Sequence, residues 1–249
     1  MGTTIQNLSL NSSDFGGTLY EGCNEILSLT KPELITGIHE SYLKAGCDII
    51  ETNTFGGTPL VLKEYNLNEK TYEINYCAAK LARIAADKYT SQEKPRFVAG
   101  SIGPTTKAIS VTGGITYDEL KQNFYEQAKG LYKGGVDYFL LETCQDTRNI
   151  KAALTAIDQL FSEMQDIIPI AISATIEPTG TMLAGQTIEA LLASLAHRDL
   201  LYLGLNCATG PAFMTDAIRT LSDLSPFYVS CVPNAGLPDE NGCYLETPQ

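Results

Sequence analysis

Six short runs of apolar and β-branched residues recur along the chain: CDIIETNTF (47–55), RFVAGSIG (96–103), DYFLLETC (137–144), IPIAISATI (168–176), LYLGLNCA (201–208) and FYVSCVPN (227–234). Such runs suit strands buried on both faces, the pattern of a parallel sheet. Amphipathic stretches of helical period separate them, which is the alternation of consecutive βα units. In the first, Leu34, Ile35, Ile38, Leu43 and Ala45 mark one face, with Thr30 and Glu33 expected as a capping box and Gly46 as the terminator. Thr116 and Glu119 predict a second capping box, opening a helix that carries Leu120, Phe124 and Leu131 and ends at Gly134 and Gly135. Further helices are expected over 71–88, 148–162, 187–197 and 211–223.

Strict alternation fits either a (β/α)8 barrel or an open doubly wound sheet. An open dinucleotide-binding sheet calls for GxGxxG after its first strand, and a P-loop for GxxxxGK[ST]; the chain has neither. The strand ends point more firmly to the barrel. Nearly all finish in small or polar residues: Glu51 to Thr54, Ser101, Glu142 with Thr143, Ser173 with Thr175, Asn206 with Cys207, and Asn234. In a barrel these ends converge on one mouth, where catalytic groups sit. The expected fold is therefore α/β, a (β/α)8 TIM barrel, incomplete. Residues 1–6 are expected to supply only the tail of a first strand, and the polar PDENGCYLETPQ leaves the eighth strand absent. Residues 1–249 are expected to form one domain.

Charge and composition remove several function classes. With 17 Lys+Arg against 29 Asp+Glu, the net charge of −12 repels phosphate backbones, and no basic cluster with interleaved aromatics appears, so no nucleic-acid partner is expected. No apolar run approaches the roughly 18–20 residues of a membrane span. The opening MGTTIQNLSLNSSD has neither the basic nor the apolar region of a secretory signal, so a cytoplasmic setting is expected. There, seven cysteines without CxxC spacing are expected to be thiols.

Among residues that can carry chemistry, Cys207 in LGLNCATG stands at a strand end, suited to a nucleophile or a metal thiolate, with a small buried hydrophobe as the alternative. Glu142, after the apolar run YFLL, suits a substrate ammonium group or else a structural ion pair. In ETNTF, adjacent strand residues point to opposite sides, so only one of Glu51 and Thr52 can face the lumen. Asp48 and Asp137 precede strands and read as structural turn residues. His39 and His197 fall inside helices, away from strand ends, and neither is placed as a triad base or ligand. The remaining cysteines, 23, 47, 77, 144, 231 and 243, lack partners at metal spacing, and most of them read as packing residues.

The ordered strand ends DIIETNTF, RFVAGSIGPT, GGVDYFLLET, AISATI with GTMLAGQT, LGLNCATG and YVSCVPNAGLP resemble the homocysteine S-methyltransferase domain of cobalamin-dependent methionine synthase. The resemblance covers nearly the whole chain. It implies a barrel that holds one Zn2+ at its mouth through three cysteine thiolates and binds homocysteine through its sulfur. A free thiol near pKa 8.5 is mostly protonated at neutral pH, and coordination to zinc removes that proton. By position, the resemblance makes Cys207 a zinc ligand, Asn234 an asparagine at the metal, and Glu142 the acid holding the substrate ammonium group. Met1 and Gly2 resemble the end of a DGAMGT motif whose amides suit the substrate carboxylate, and Thr52 and Asn53 lie in the segment lining the pocket. The implied donor is methylcobalamin, carried with folate on other domains or proteins.

The chain departs from that pattern at both ends. The family's other two zinc cysteines form an adjacent pair in a GGCCGT-like motif, which is not found here, and Cys243 in NGCYLE is no substitute. The aspartate of DGA is likewise not present. One thiolate and one amide seldom hold zinc tightly, and unpaired first and last strands expose sheet edges. The chain alone is thus expected to be weak or inactive as a methyltransferase. The alternative is a non-catalytic remnant, or one piece of a split protein whose partner chain supplies the eighth strand and the cysteine pair. A third reading, an aldolase-like barrel, wants a strand-end lysine, and Lys107 falls in a loop.

Overall fold

The computed structural model describes residues 1–237, 240, 244, 246 and 247. Its elements run α1 (Gly2–Gln6), α2 (Leu27–Thr30), α3 (Pro32–Ala45), β1 (Ile49–Glu51), α4 (Pro59–Leu62), α5 (Thr71–Tyr89), β2 (Phe97–Ile102), α6 (Tyr117–Gly134), β3 (Tyr138–Cys144), α7 (Thr147–Met164), β4 (Ile170–Ala174), α8 (Ile188–Leu195), β5 (Tyr202–Asn206), α9 (Pro211–Leu224) and β6 (Tyr228–Val232). The strands form one sheet in sequence order, β1 to β6, and β1–β2, β4–β5 and β5–β6 pair in parallel. This is the α/β class with the strand–helix order of an incomplete (β/α)8 barrel. Each of the six apolar runs contains its strand. No described helix is long and apolar enough to cross a membrane.

Three readings are corrected. Residues 2–6 form the short helix α1 rather than the tail of a strand, with Ile5 turned into the core at 2% exposure. Thr30 and Glu33 do not cap α3. Thr30 instead ends α2 and donates its hydroxyl to the Ile26 carbonyl, while Pro32 opens α3 with a φ already suited to a helix. His197 lies in the turn after α8, which ends at Leu195, and not inside the helix. Gly46 closes α3 in the left-handed region at φ 108°, and Thr116 and Glu119 form a reciprocal box, the Glu119 N–H donating to Thr116 Oγ1 at 3.2 Å and the Thr116 N–H to Glu119 Oε2 at 2.8 Å.

The chain divides into two compact units. The first comprises 1–106, 121–139 and 155–168. Its core gathers Ile5, Phe15, Ile26, Leu27, Ile35 and Ile74, among others, around α3 and α5. Here α6 approaches α5 closely: a Cβ at Gly134 would lie 2.3 Å from the Ala79 Cβ, and one at Gly130 would lie 2.8 Å from that of Asn75. Glycine inside α6 costs helix propensity, and its return is this backbone approach. Asp137, read as structural, accepts from Val98 N–H at 2.6 Å and from Arg83 Nη1 at 2.7 Å. The second unit comprises 107–120, 140–154 and 169–249. In it Ile172, Leu203 and Leu205 are fully buried strand residues, with Leu191, Leu195 and Leu221 from α8 and α9. β6 is the last strand of the sheet, and its Tyr228 and Val232 are exposed.

His39, inside α3, is 2% exposed and its Nε2 finds no partner among the described residues. Burial disfavours the imidazolium and pushes its pKa down to about 4, from the ordinary 6.5. The unfolded chain therefore binds the extra proton first. Stability from this group is complete above pH 6.5 and is lost as the pH falls toward 4. Urea unfolding of wild type against His39→Gln at pH 7 and pH 5 should show about 2 kcal/mol of acid sensitivity in the wild type that the variant does not share. Equal sensitivity in both proteins contradicts this account.

Candidate functional site

Strand β5 ends at Asn206, and the chain turns sharply there. Cys207 and Ala208 follow with φ of 55° and 58°, two successive non-glycine residues in the left-handed region. The Thr209 N–H donates back to the Cys207 carbonyl, and Pro211 then opens α9. Such conformations are unfavourable for residues with a Cβ and persist where the surroundings over-determine them. The surroundings here are specific. Asn206, 5% exposed, donates from Nδ2 to the Cys207 sulfur at 3.2 Å and to Thr143 Oγ1 at 2.8 Å, and its Oδ1 accepts from the Thr143 N–H at 2.9 Å. Thr143, at the end of β3, is itself left-handed at φ 55°, and its hydroxyl lies 4.0 Å from the Cys207 sulfur.

The turn after β6 locks onto this one. The Cys207 N–H donates to the Val232 carbonyl at 3.2 Å, and the Asn234 N–H donates to the Thr209 carbonyl at 3.2 Å. A Cβ on Gly210 would fall 2.7 Å from the Gly236 Cα, so the two backbones can meet this closely only with glycine at 210. Cys207 and Asn234 are thereby carried on adjoining turns, each half-buried. Glu142, also half-buried, precedes Thr143, and its charge reaches the neighbouring Cys144. Asp146, fully buried, fixes the next turn by accepting from the Ser110 and Arg148 N–H groups, each at 2.8 Å.

In the first unit, Thr52 and Asn53 are 3% and 4% exposed, and their side chains are engaged in the fold. Thr52 Oγ1 accepts from the Ser101 N–H at 3.0 Å and bonds Thr54 Oγ1 at 2.6 Å, while Asn53 Nδ2 donates to the Asn24 carbonyl at 2.7 Å. Met1 and Gly2 lie at the start of α1, where the Met1 carbonyl accepts from the Ile5 N–H at 3.1 Å and Gly2 neighbours the Asn24 side chain. Two carboxamides on helices, Asn75 and Gln127, reach the same segment, donating to Gly57 O and Thr54 O, each at 2.7 Å. Sequence reading missed both, because a polar residue on an otherwise apolar helix face gives no sign of the loop it reaches.

Among the described residues no three His, Cys, Asp or Glu side chains gather as a metal site. Cys207, with an amide donor on its sulfur, has the chemistry of one corner of a thiophilic site. The described residues do not supply the other thiolates, and Cys243 lies outside them. Among the other described cysteines Cys23 is buried, Cys47, Cys77 and Cys144 are half-buried and Cys231 is exposed, so the packing reading does not hold for Cys231. Burial pushes Cys23 up to about 12 and raises Cys144, and among the described residues the cysteines 23, 47, 77, 144, 207 and 231 are free. A separate cleft of about 560 Å3 in the second unit carries Glu177, Glu189 and Asp216; none of the residues predicted for the site lines it.

The sequence profile of homocysteine S-methyltransferases matches residues 1–249. Among solved structures, the metallated form of the homocysteine methyltransferase MmuM from Escherichia coli superposes with a TM-score of 0.78 at 23% identity, covering 95% of this chain and 82% of that one. The oxidized form of the same enzyme gives 0.77 at 22% identity, over 94% and 80%, and its apo form 0.70 at 21%, over 94% and 79%. At these identities the superpositions speak for the fold.

Two outcomes are expected from this geometry. Alkylation of the native chain near neutral pH should modify exposed Cys231 while leaving Cys23 and Cys144 untouched until denaturant is added, read by peptide mass spectrometry; labelling of either in the folded protein contradicts their assignment. Gly210→Ala should cost about 2 kcal/mol in urea unfolding, since the Cβ meets backbone that cannot rotate away, and an unchanged midpoint contradicts the close approach.

Proposed function

The chain belongs to the homocysteine S-methyltransferase family, and on that premise we propose that residues 1–249 act as one cytoplasmic homocysteine-binding domain in methyl transfer to the homocysteine sulfur, forming methionine. The observation that carries this reading is the cysteine at the end of β5, left-handed in backbone and with its sulfur against the Asn206 amide and the Thr143 hydroxyl. Zn2+, when bound, would ionise the substrate thiol. Cys207 would be one ligand and Asn234 a neighbour at its open position, with two further thiolates coming from outside the described residues.

The chain's own groups orient the substrate. Glu142 takes the ammonium group, with its carboxylate at the end of β3. Met1, Gly2, Thr52 and Asn53 are assigned to the substrate by the resemblance alone. The reaction is a displacement: the sulfur's electron pair forms the new S–CH3 bond, and the bond to the donor breaks with its pair staying on the donor. In this reading the donor is methylcobalamin on another domain or protein.

A second reading stands beside the first, in which the two further thiolates arrive on a partner chain. Elemental analysis and a methionine-forming assay with homocysteine and methylcobalamin separate the possibilities. Cys207→Ser should lower zinc retention tenfold or more, by roughly the loss of one of three or four ligands, and abolish methionine formation. Glu142→Gln should raise the KM for homocysteine more than it lowers kcat. Zinc uptake that appears only on adding a chain bearing the cysteine pair selects the second reading; full zinc and activity in Cys207→Ser rejects both.

A further inference from the structure

We propose that Asn206 is a positioning residue that sets the span between the two ends of the bound amino acid, making the site selective for homocysteine over cysteine. The inference rests on the roles given above to Glu142 and Cys207. Asn206 is the last residue of β5 and is buried, and its single carboxamide bonds three atoms on two strand ends. Oδ1 accepts from the Thr143 N–H, and Nδ2 donates to Thr143 Oγ1 and to the Cys207 sulfur, at 2.9, 2.8 and 3.2 Å. Thr143 follows Glu142 directly in the chain. One planar group thus ties the backbone carrying the ammonium anchor to the sulfur beside which the substrate thiol must sit.

Both tied residues hold left-handed backbones, Thr143 and Cys207 each at φ 55°, which neither favours by itself. The carboxamide holds these two turns to each other, beside the backbone bond from the Cys207 N–H to the Val232 carbonyl. Homocysteine and cysteine share the ammonium and carboxylate groups and differ by one methylene before the sulfur. A rigid distance between anchor and sulfur reads that methylene, whereas a site loosened by about 1 Å cannot. Hydrophobic pockets discriminate a methylene by roughly tenfold or somewhat more, and a fixed two-point span adds to that.

The test is calorimetric titration of the full chain, in the presence of zinc, with homocysteine and with cysteine. Wild type should prefer homocysteine by roughly tenfold or more, and in Asn206→Ala the ratio of the two affinities should fall by about fivefold or more, toward parity. Asn206→Asp keeps the shape and an acceptor for the Thr143 N–H but loses the donor to sulfur, and should give a ratio between the other two. It also carries the comparison if the alanine variant does not fold. A role confined to stability weakens both ligands alike and leaves the ratio unchanged, which overturns the inference while leaving the proposed function standing. A wild type that binds neither amino acid, alone or with a chain bearing the cysteine pair, overturns both.

Discussion

Parallel pairing of β4, β5 and β6 is the constraint on which the candidate site depends. The ladders run Ser173 against Gly204 against Ser230, and Leu205 against Cys231, so the three strands finish within a residue or two of one another along the same edge. Parallel strands all present their carboxyl ends on one side, and a connection through a helix returns each to the same start. The loops that follow are thus compelled to meet. The Cys207 N–H already bonds the Val232 carbonyl across that edge, and the Asn234 N–H bonds Thr209.

Within that edge, backbone strain is concentrated where chemistry is assigned. Thr143, Cys207 and Ala208 hold conformations that strands do not need, while the neighbouring Ile170–Ala174 carries no such residue. The carboxamide of Asn206 and the glycine contact between 210 and 236 hold these conformations in place. A side chain held this firmly before any ligand arrives needs little reorganisation on binding, which is the usual advantage of preorganised sites. The same rigidity explains why one amide can be asked to set a distance rather than merely fill space.

The two units use polar side chains differently. In the first, Thr52, Asn53, Asn75 and Gln127 hold the segment after β1 through bonds to backbone or to a neighbouring hydroxyl, while Asn75 Oδ1 and Gln127 Oε1 find no partner among the described residues. In the second, the Cys207 sulfur takes a donor without being deeply buried. Buried donors ordinarily find acceptors, so the N–H bonds of the first arrangement are what the fold demands. A half-buried sulfur is under no such demand, and its amide is the more informative contact.

The sequence by itself determined the class of fold and the order of its parts. Each apolar run contains its strand, and each amphipathic stretch its helix, because burial on two faces or on one leaves a period that can be read directly. It determined the family as well, through strand-end motifs in register. Local signals failed where two competed: Thr30 resembles a cap but is overruled by Pro32, whose fixed φ starts the helix without one, and residues 2–6 are too few for periodicity to separate helix from strand. What only the tertiary structure decided is which side chains meet. Thr143 and Asn206 stand 63 residues apart, and nothing in either local pattern says that one carboxamide bridges them. Spacing along the chain records the period of each element, whereas distance across the sheet is set by register, and register exists only once the strands have paired.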